Sequence, residues 1–130
     1  MILGIGIDLC AVARMEKSLQ KPAFAARVFA PQEQEFWQDF SAKRRAESAA
    51  AAFAAKEAFL KAAGTGLGGF ALAELAVLHK PSGAPYFCFL GDAARYIEQN
   101  HLTAHLSLSH DGGLAAAYVI LEQNSAGTCD

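Results

Sequence analysis

The 130-residue sequence contains no apolar run near the roughly 18 residues that mark a membrane-spanning helix. Its start, MILGIGIDL, meets its first charge at Asp8 and has no basic flank, so neither a membrane span nor a signal peptide is expected. Cysteine is scarce as well. Cys10, Cys88 and Cys129 are odd in number, widely spaced and outside any zinc-ligand pattern, which predicts reduced thiols in a cytoplasmic protein rather than a disulfide framework. A strong basic excess is missing: 11 Lys and Arg stand against 13 Asp and Glu, and the net charge of −2 argues against a general nucleic-acid binder. Large apolar side chains are fewer than the 53% hydrophobic content suggests, because 28 residues are alanine. Charged residues are nonetheless too few, at 18%, for a disordered chain, and the length is that of one domain.

The charge that is present is unevenly spread. Residues 1–45 hold seven Lys/Arg against five Asp/Glu, and residues 46–130 hold four against eight. The basic side includes Arg14, Lys17, Lys21, Arg27 and the run Lys43-Arg44-Arg45. This is either a solvated helix face or a site for an acidic partner or a phosphate.

Residues Ile2 to Leu9 alternate in the strand period, with Leu3, Ile5, Ile7 and Leu9 on one face and Gly4, Gly6 and Asp8 on the other. Two glycines beside a carboxylate suggest that something bulky approaches the backbone there. Residues from about 12 to 40 read as short helices, one of them opened by Pro31. The strongest helix is predicted from about Ala46 to Ala63, rich in Ala, Glu, Lys and Leu and ended by Gly64. Strands follow at 74–79 and 85–90 around a Pro81-Ser82-Gly83-Ala84 turn, then a helix at about 91–100 and strands at 104–109 and 114–122. The layout predicts one α+β domain over residues 1–122, an antiparallel sheet packed against one long helix and several short ones, with a disordered tail at 123–130.

Glu57 and Lys61 lie four apart on the long helix and share a face, with Phe53 and Leu60 projecting close to it. Taken alone, such a pair is most often an ordinary surface contact. Lys56 lies roughly 100° away and need not share their role. Asp8 on a strand and Glu57 on a helix are candidates for holding a hard divalent cation; two carboxylates with spare coordination positions suit Mg²⁺. Zinc is disfavoured by the absence of Cys/His spacing. The loop Gly64-Thr65-Gly66-Leu67-Gly68-Gly69 is neither a Rossmann fingerprint nor a Walker A loop; it is either a helix cap and exit or a phosphate contact near Lys61. Ser107, Ser109, His110 and Asp111 are hydrolase residue types without a nucleophile elbow, and neighbours on a strand point to opposite faces, so ligand hydrogen bonding or turn chemistry is expected rather than a triad. His79, His101 and His105 are expected as surface or satisfied histidines.

Three segments together go further. Gly4-Ile5-Gly6-Ile7-Asp8-Leu9 followed by Arg14, then Phe53-Ala54-Ala55-Lys56-Glu57-Ala58-Phe59-Leu60-Lys61-Ala62-Ala63-Gly64-Thr65-Gly66, then Leu106-Ser107-Leu108-Ser109-His110-Asp111 resemble the bacterial holo-acyl-carrier-protein synthase family in order and spacing. The resemblance covers residues 1 to about 122, and the Lys-Glu-x-x-x-Lys helix ending in Gly-Thr-Gly is its most specific part. It implies a 4′-phosphopantetheinyl transferase fold and transfer of the phosphopantetheine arm of coenzyme A to a serine of acyl carrier protein, with release of adenosine 3′,5′-bisphosphate. It further implies that Asp8 and Glu57 hold Mg²⁺, that Lys61 contacts the coenzyme A phosphates, and that Glu57 is the candidate acceptor of the serine proton. Gly64, Gly66, Ser109 and His110 would lie along the nucleotide. Arg14, Lys17 and Lys21 would receive the acidic carrier protein, and the working form would be a homotrimer with sites between subunits. Two positions depart from the family pattern. Ala52 stands where an Arg is usual, with Arg44 or Arg45 as the substitute and Arg45 favoured, and Ala84 replaces the Lys of a Gly-Lys-Pro turn. The competing readings are a Mg²⁺-dependent nucleotide phosphohydrolase using the same carboxylates, and a non-catalytic trimer that binds a carrier protein.

Overall fold

The computed structural model describes residues 1–66 and 68–125. The chain begins with strand β1 (Ile2–Ala11), passes through three short helices, α1 (Val12–Ser18), α2 (Pro22–Val28) and α3 (Pro31–Trp37), and enters the long helix α4 (Ala42–Ala63). A 3₁₀ turn at Leu72–Glu74 leads into the hairpin β2 (Leu75–His79) and β3 (Pro85–Phe89), then α5 (Gly91–Gln99), β4 (Leu102–Asp111) and β5 (Leu114–Gln123). The strands form two antiparallel sheets, one of order β1-β5-β4 and the other the β2-β3 hairpin. Helix α4 packs across the inner face of the first sheet, so the expected α+β arrangement around one long helix is the one found.

Helix α4 starts four residues earlier than its alanine-rich stretch predicts, because the Ser41 Oγ accepts the Arg44 N–H at 3.2 Å and caps it. It ends at Gly64, whose left-handed φ of 76° closes the C-terminus; the Gly64 N–H donates to the Lys61 carbonyl and that of Thr65 to Leu60. The tail also begins later than expected. Gln123 closes β5, its N–H donating to the Met1 carbonyl, and the Asn124 N–H donates to His101, so ordered pairing runs two residues into the supposed tail; residues 126–130 lie outside the described residues.

The faces of β1 are settled by what α4 can approach. A Cβ built on Gly4 would sit 1.9 Å from the Ala62 carbonyl oxygen, and one on Gly6 would sit 1.9 Å from that of Ala58. The bulky object facing the glycines is therefore the α4 backbone itself. Contact this close requires both glycine on the strand and alanine on the helix. The opposite face of β1 carries Leu3, Ile5, Ile7 and Leu9 outward, each between 45% and 59% exposed, beside Leu114 and Tyr118 of β5.

Lys56 is the largest surprise. It is 0% exposed, against Glu33 of α3 at 1%, and its Nζ donates to Glu33 Oε1 at 2.7 Å and to the carbonyls of Leu72 and Leu75 at 3.0 Å each. Glu33 in turn accepts the N–H of Ala30 at 2.9 Å and of Val77 at 3.0 Å. Burial pushes the Lys56 ammonium pKa down, opposed by the Glu33 carboxylate.

Candidate active site

Because Gly4 and Gly6 let β1 lie directly on α4, Asp8 at the end of the same glycine face meets the next turn of the helix. Lys61 Nζ donates to Asp8 Oδ1 at 3.0 Å and to the Ile7 carbonyl at 2.9 Å, which fixes one carboxylate oxygen. The other, Asp8 Oδ2, is buried and has no hydrogen-bond partner among the described residues. Glu57 stands beside it, one helical turn before Lys61. Its pKa is pushed up to about 7, first by burial and then by Asp8, whose charge repels the ionised form and whose carboxylate would accept a hydrogen bond from the protonated form; Lys61 and Arg14 pull in the other direction. A second positive charge would relieve this pair as well as a proton does. Sequence reasoning paired Asp8, Glu57 and Lys61, and the structure brings the three together.

Arg14 projects from α1 toward the same carboxylates, and with Leu9, Cys10, Met15, Phe24, Phe53 and Glu57 it lines a pocket of about 150 Å³. Lys17 and Lys21 are exposed beyond it, extending the basic face. The Cys10 thiol is half-buried and burial raises its pKa, which keeps it protonated and unsuited to nucleophilic work.

A separate cleft of about 320 Å³ opens between α4 and the β2-β3 hairpin. Arg44, Ser48 and Ala52 form its helix wall, Val77 and His79 the strand wall, and Ser109 and His110 lie at its rim. His79 stacks on Phe36 with ring centroids 4.5 Å apart, and burial lowers its pKa. No local motif distinguishes His79 from an ordinary histidine; only its position across the cleft from Arg44 reveals it. Arg45 is a correction. Its Nε donates to the Trp37 carbonyl and its Nη2 to those of Gln38 and Phe40, so it ties down the chain after α3 while Arg44 faces the cleft. One residue is roughly 100° of helix, and that rotation turns Arg44 away from those carbonyls and sets its guanidinium over the Phe40 ring, 3.8 Å from the centroid, at the edge of the cleft. Ser109 and His110, though neighbours on β4, both line this cleft, and no side-chain hydrogen bond joins them among the described residues. Gly64 and Gly66 do not line this cleft. Their positive φ values, 76° and 68°, explain the glycines through backbone geometry.

The family model described as the 4′-phosphopantetheinyl transferase superfamily matches residues 4–119. The chain belongs to this superfamily. Similar family members include the holo-[acyl-carrier-protein] synthase of Trichlorobacter lovleyi, 48% identical over 94% of this chain and 98% of that protein, and that of Treponema denticola, 43% identical over 94% and 99%. Among solved members of the family, a Bacillus anthracis holo-(acyl-carrier-protein) synthase in complex with CoA (3′,5′-ADP) superposes with a TM-score of 0.82 at 33% identity, covering 95% of this chain and 99% of that one. The family resemblance read from three sequence segments thus extends over almost the whole chain.

No described helix is long and apolar enough to cross a membrane. The described residues hold no cluster of three or more His, Cys, Asp or Glu at metal-binding separation, so a cation at Asp8 and Glu57 would need oxygens from water or substrate. The orphaned Asp8 Oδ2 and the elevated Glu57 fit that requirement, and an all-oxygen donor set suits Mg²⁺.

Proposed function

We propose that this enzyme transfers 4′-phosphopantetheine from coenzyme A to a serine hydroxyl of apo acyl carrier protein, releasing adenosine 3′,5′-bisphosphate. The observation that carries the reading is the Asp8–Glu57 carboxylate pair clamped by Lys61, in a chain whose relatives bear the synthase name. Asp8 and Glu57 would hold Mg²⁺, which when bound neutralises charge on the diphosphate and its leaving group. Lys61, 57% exposed at its side chain, keeps Asp8 in place and reaches outward to contact phosphate oxygens. The serine oxygen forms a bond to the phosphorus bearing the pantetheine arm, the bond from that phosphorus to the nucleotide oxygen breaks, and the serine proton passes to Glu57 directly or through water. Arg44, with Ser109 and His110 at the rim, would hold the phosphorylated adenosine end. Among the described residues that line the cleft it is the only Lys or Arg, one turn from the carboxylate of Glu47, and Ala52 and Ala84 stand where the family usually carries two further positive charges. The Arg14, Lys17 and Lys21 face would receive the acidic carrier.

Ser48 of the cleft and Glu57 of the carboxylate pair are nine residues apart on α4, two and a half turns, which puts them roughly 180° around the helix and roughly 13 Å along it. The two halves of the site therefore face away from each other in one protomer. A homotrimer that seats the exposed Leu3, Ile5, Ile7 and Leu9 face between subunits would let the cleft of one chain meet the carboxylates of the next.

The test is complementation. Asp8→Asn and Arg44→Ala proteins, each inactive or weak alone, are unfolded and refolded together with Mg²⁺, coenzyme A and apo carrier, and the phosphopantetheine mass increase on the carrier is followed. Shared sites restore about a quarter of wild-type turnover in a one-to-one mixture, the fraction of random neighbours that pair two intact halves. No recovery would mean that each protomer carries a whole site. Nucleotide consumption without carrier modification in the wild type would mean that water, not serine, is the acceptor.

A further inference from the structure

The helix motif Lys-Glu-x-x-x-Lys contains one charged residue that the transfer chemistry leaves unused, Lys56. Its environment is costly, since a fully buried ion pair returns little net stability and is often replaced by apolar residues without loss. What the pair does supply is registration. Lys56 projects from α4, Glu33 from α3, and between them they bond the carbonyls of Leu72 and Leu75 and the N–H groups of Ala30 and Val77. All three ammonium protons and both carboxylate oxygens are in use, which specifies a single arrangement rather than a slippery contact. The bonds end on the cleft. Val77, held through its N–H by Glu33, lies on the strand wall, and Ala52, one turn before Lys56, lies on the helix wall.

We propose that Lys56 and Glu33 are positioning residues that set the separation of α4 from β2 and so the width of the nucleotide cleft. The inference rests on the transfer reading for the identity of the ligand, coenzyme A, and on the geometry for everything else. A small error in wall separation would be felt in nucleotide affinity, whereas Asp8 and Glu57 are held by the separate contact of β1 with α4.

The experiment uses the full-length Glu33→Met/Lys56→Met protein, which replaces the pair by apolar side chains of similar length. Thermal melting shows whether it folds, and steady-state transfer assays give KM and kcat for coenzyme A, KM for the carrier and the Mg²⁺ midpoint. The expected result is a native-like melt with KM for coenzyme A raised about tenfold, the size of one lost ligand contact, while kcat, the carrier KM and the Mg²⁺ midpoint stay near wild type. A folded variant with unchanged KM overturns the proposal, as does one in which kcat falls at constant KM. Should the double variant fail to fold, the isosteric Glu33→Gln protein decides: a rise in coenzyme A KM at constant kcat supports the inference, and wild-type KM in a folded protein refutes it. Wild-type protein that binds no coenzyme A would defeat the transfer reading as well, while wild-type turnover beside normally binding variants defeats this inference alone.

Discussion

Replacing Gly6 by alanine adds one methyl group at the place where β1 and α4 have the least room. That Cβ would lie 1.9 Å from the Ala58 carbonyl oxygen and 2.9 Å from the Ala62 nitrogen, all backbone that cannot rotate aside. Real contacts of this kind begin at 3.0 Å, so strand and helix must separate by at least 3.0 − 1.9 = 1.1 Å. Overpacking of a well-filled interior costs about 1–3 kcal/mol, and a clash with main chain belongs at the upper end. At about 3 kcal/mol the melting temperature of a domain this size falls by about 10 °C. The functional effect is separate from the stability effect. Asp8 rides on β1 and Glu57 on α4, so the same displacement opens the carboxylate pair by roughly 1 Å, an error that can cost about 10²-fold in rate. Thermal melting followed by circular dichroism and the carrier-modification assay, run well below the lowered melting point, read the two effects independently. A Gly6→Ala protein that melts within about 2 °C of wild type would refute the packing argument. One that is destabilised but turns over normally would refute the link from backbone contact to active-site geometry.

Three further outcomes follow from the site. Glu57 has a folded pKa of about 7 against an ordinary 4.5, so its contribution opposes folding increasingly as pH rises through that window and vanishes below it. In metal-free buffer Glu57→Gln should therefore melt higher than wild type at pH 8 and equally at pH 4; a lower melting point at pH 8 would show that the carboxylates do not repel. Arg14→Ala should raise the carrier KM, more at low salt than at high, because the attraction is screened; an unchanged KM at low salt would move the docking face elsewhere. Arg44→Ala and Arg45→Ala should separate cleanly. The first raises the coenzyme A KM and costs at most about 1 kcal/mol of stability, the worth of its exposed stacking on Phe40. The second leaves KM alone and costs about 1–3 kcal/mol of stability by removing charged donors from three carbonyls. The opposite pattern in titrations and melts would restore Arg45 to the nucleotide.

Much of this architecture was readable because it is local. Alternation marks β1, alanine content and Gly64 mark α4, and turn residues mark the hairpins, each within a window of a few residues. The helix repeat explains why Glu57 and Lys61 share a face, whereas Asp8, 49 residues earlier on β1, joins them only through the family resemblance. The rest depends on pairings across the chain. Alternation separates the two faces of β1 without saying which is inside, and here the glycine face is inside because the helix backbone, not a side chain, fills the space. Nothing in the sequence around Lys56 marks it as buried, because its partner Glu33 lies 23 residues earlier on another helix. The choice between Arg44 and Arg45 turned on carbonyls left open at the end of α3, which no local pattern reveals.

The meeting of β1 with α4 has a consequence for how this protein can be probed. Eleven of the 22 residues of α4 are already alanine, and opposite them stand glycines. Truncating side chains, the usual way of finding which contacts matter, has nothing to remove at such a surface, and an alanine scan would pass over it in silence. Its importance registers only when atoms are added. A map of tolerated substitutions would therefore show a strip along α4 and β1 where the smallest residues are the least replaceable, bordered by Leu3, Ile5, Ile7 and Leu9, whose side chains a lone protomer leaves to the solvent.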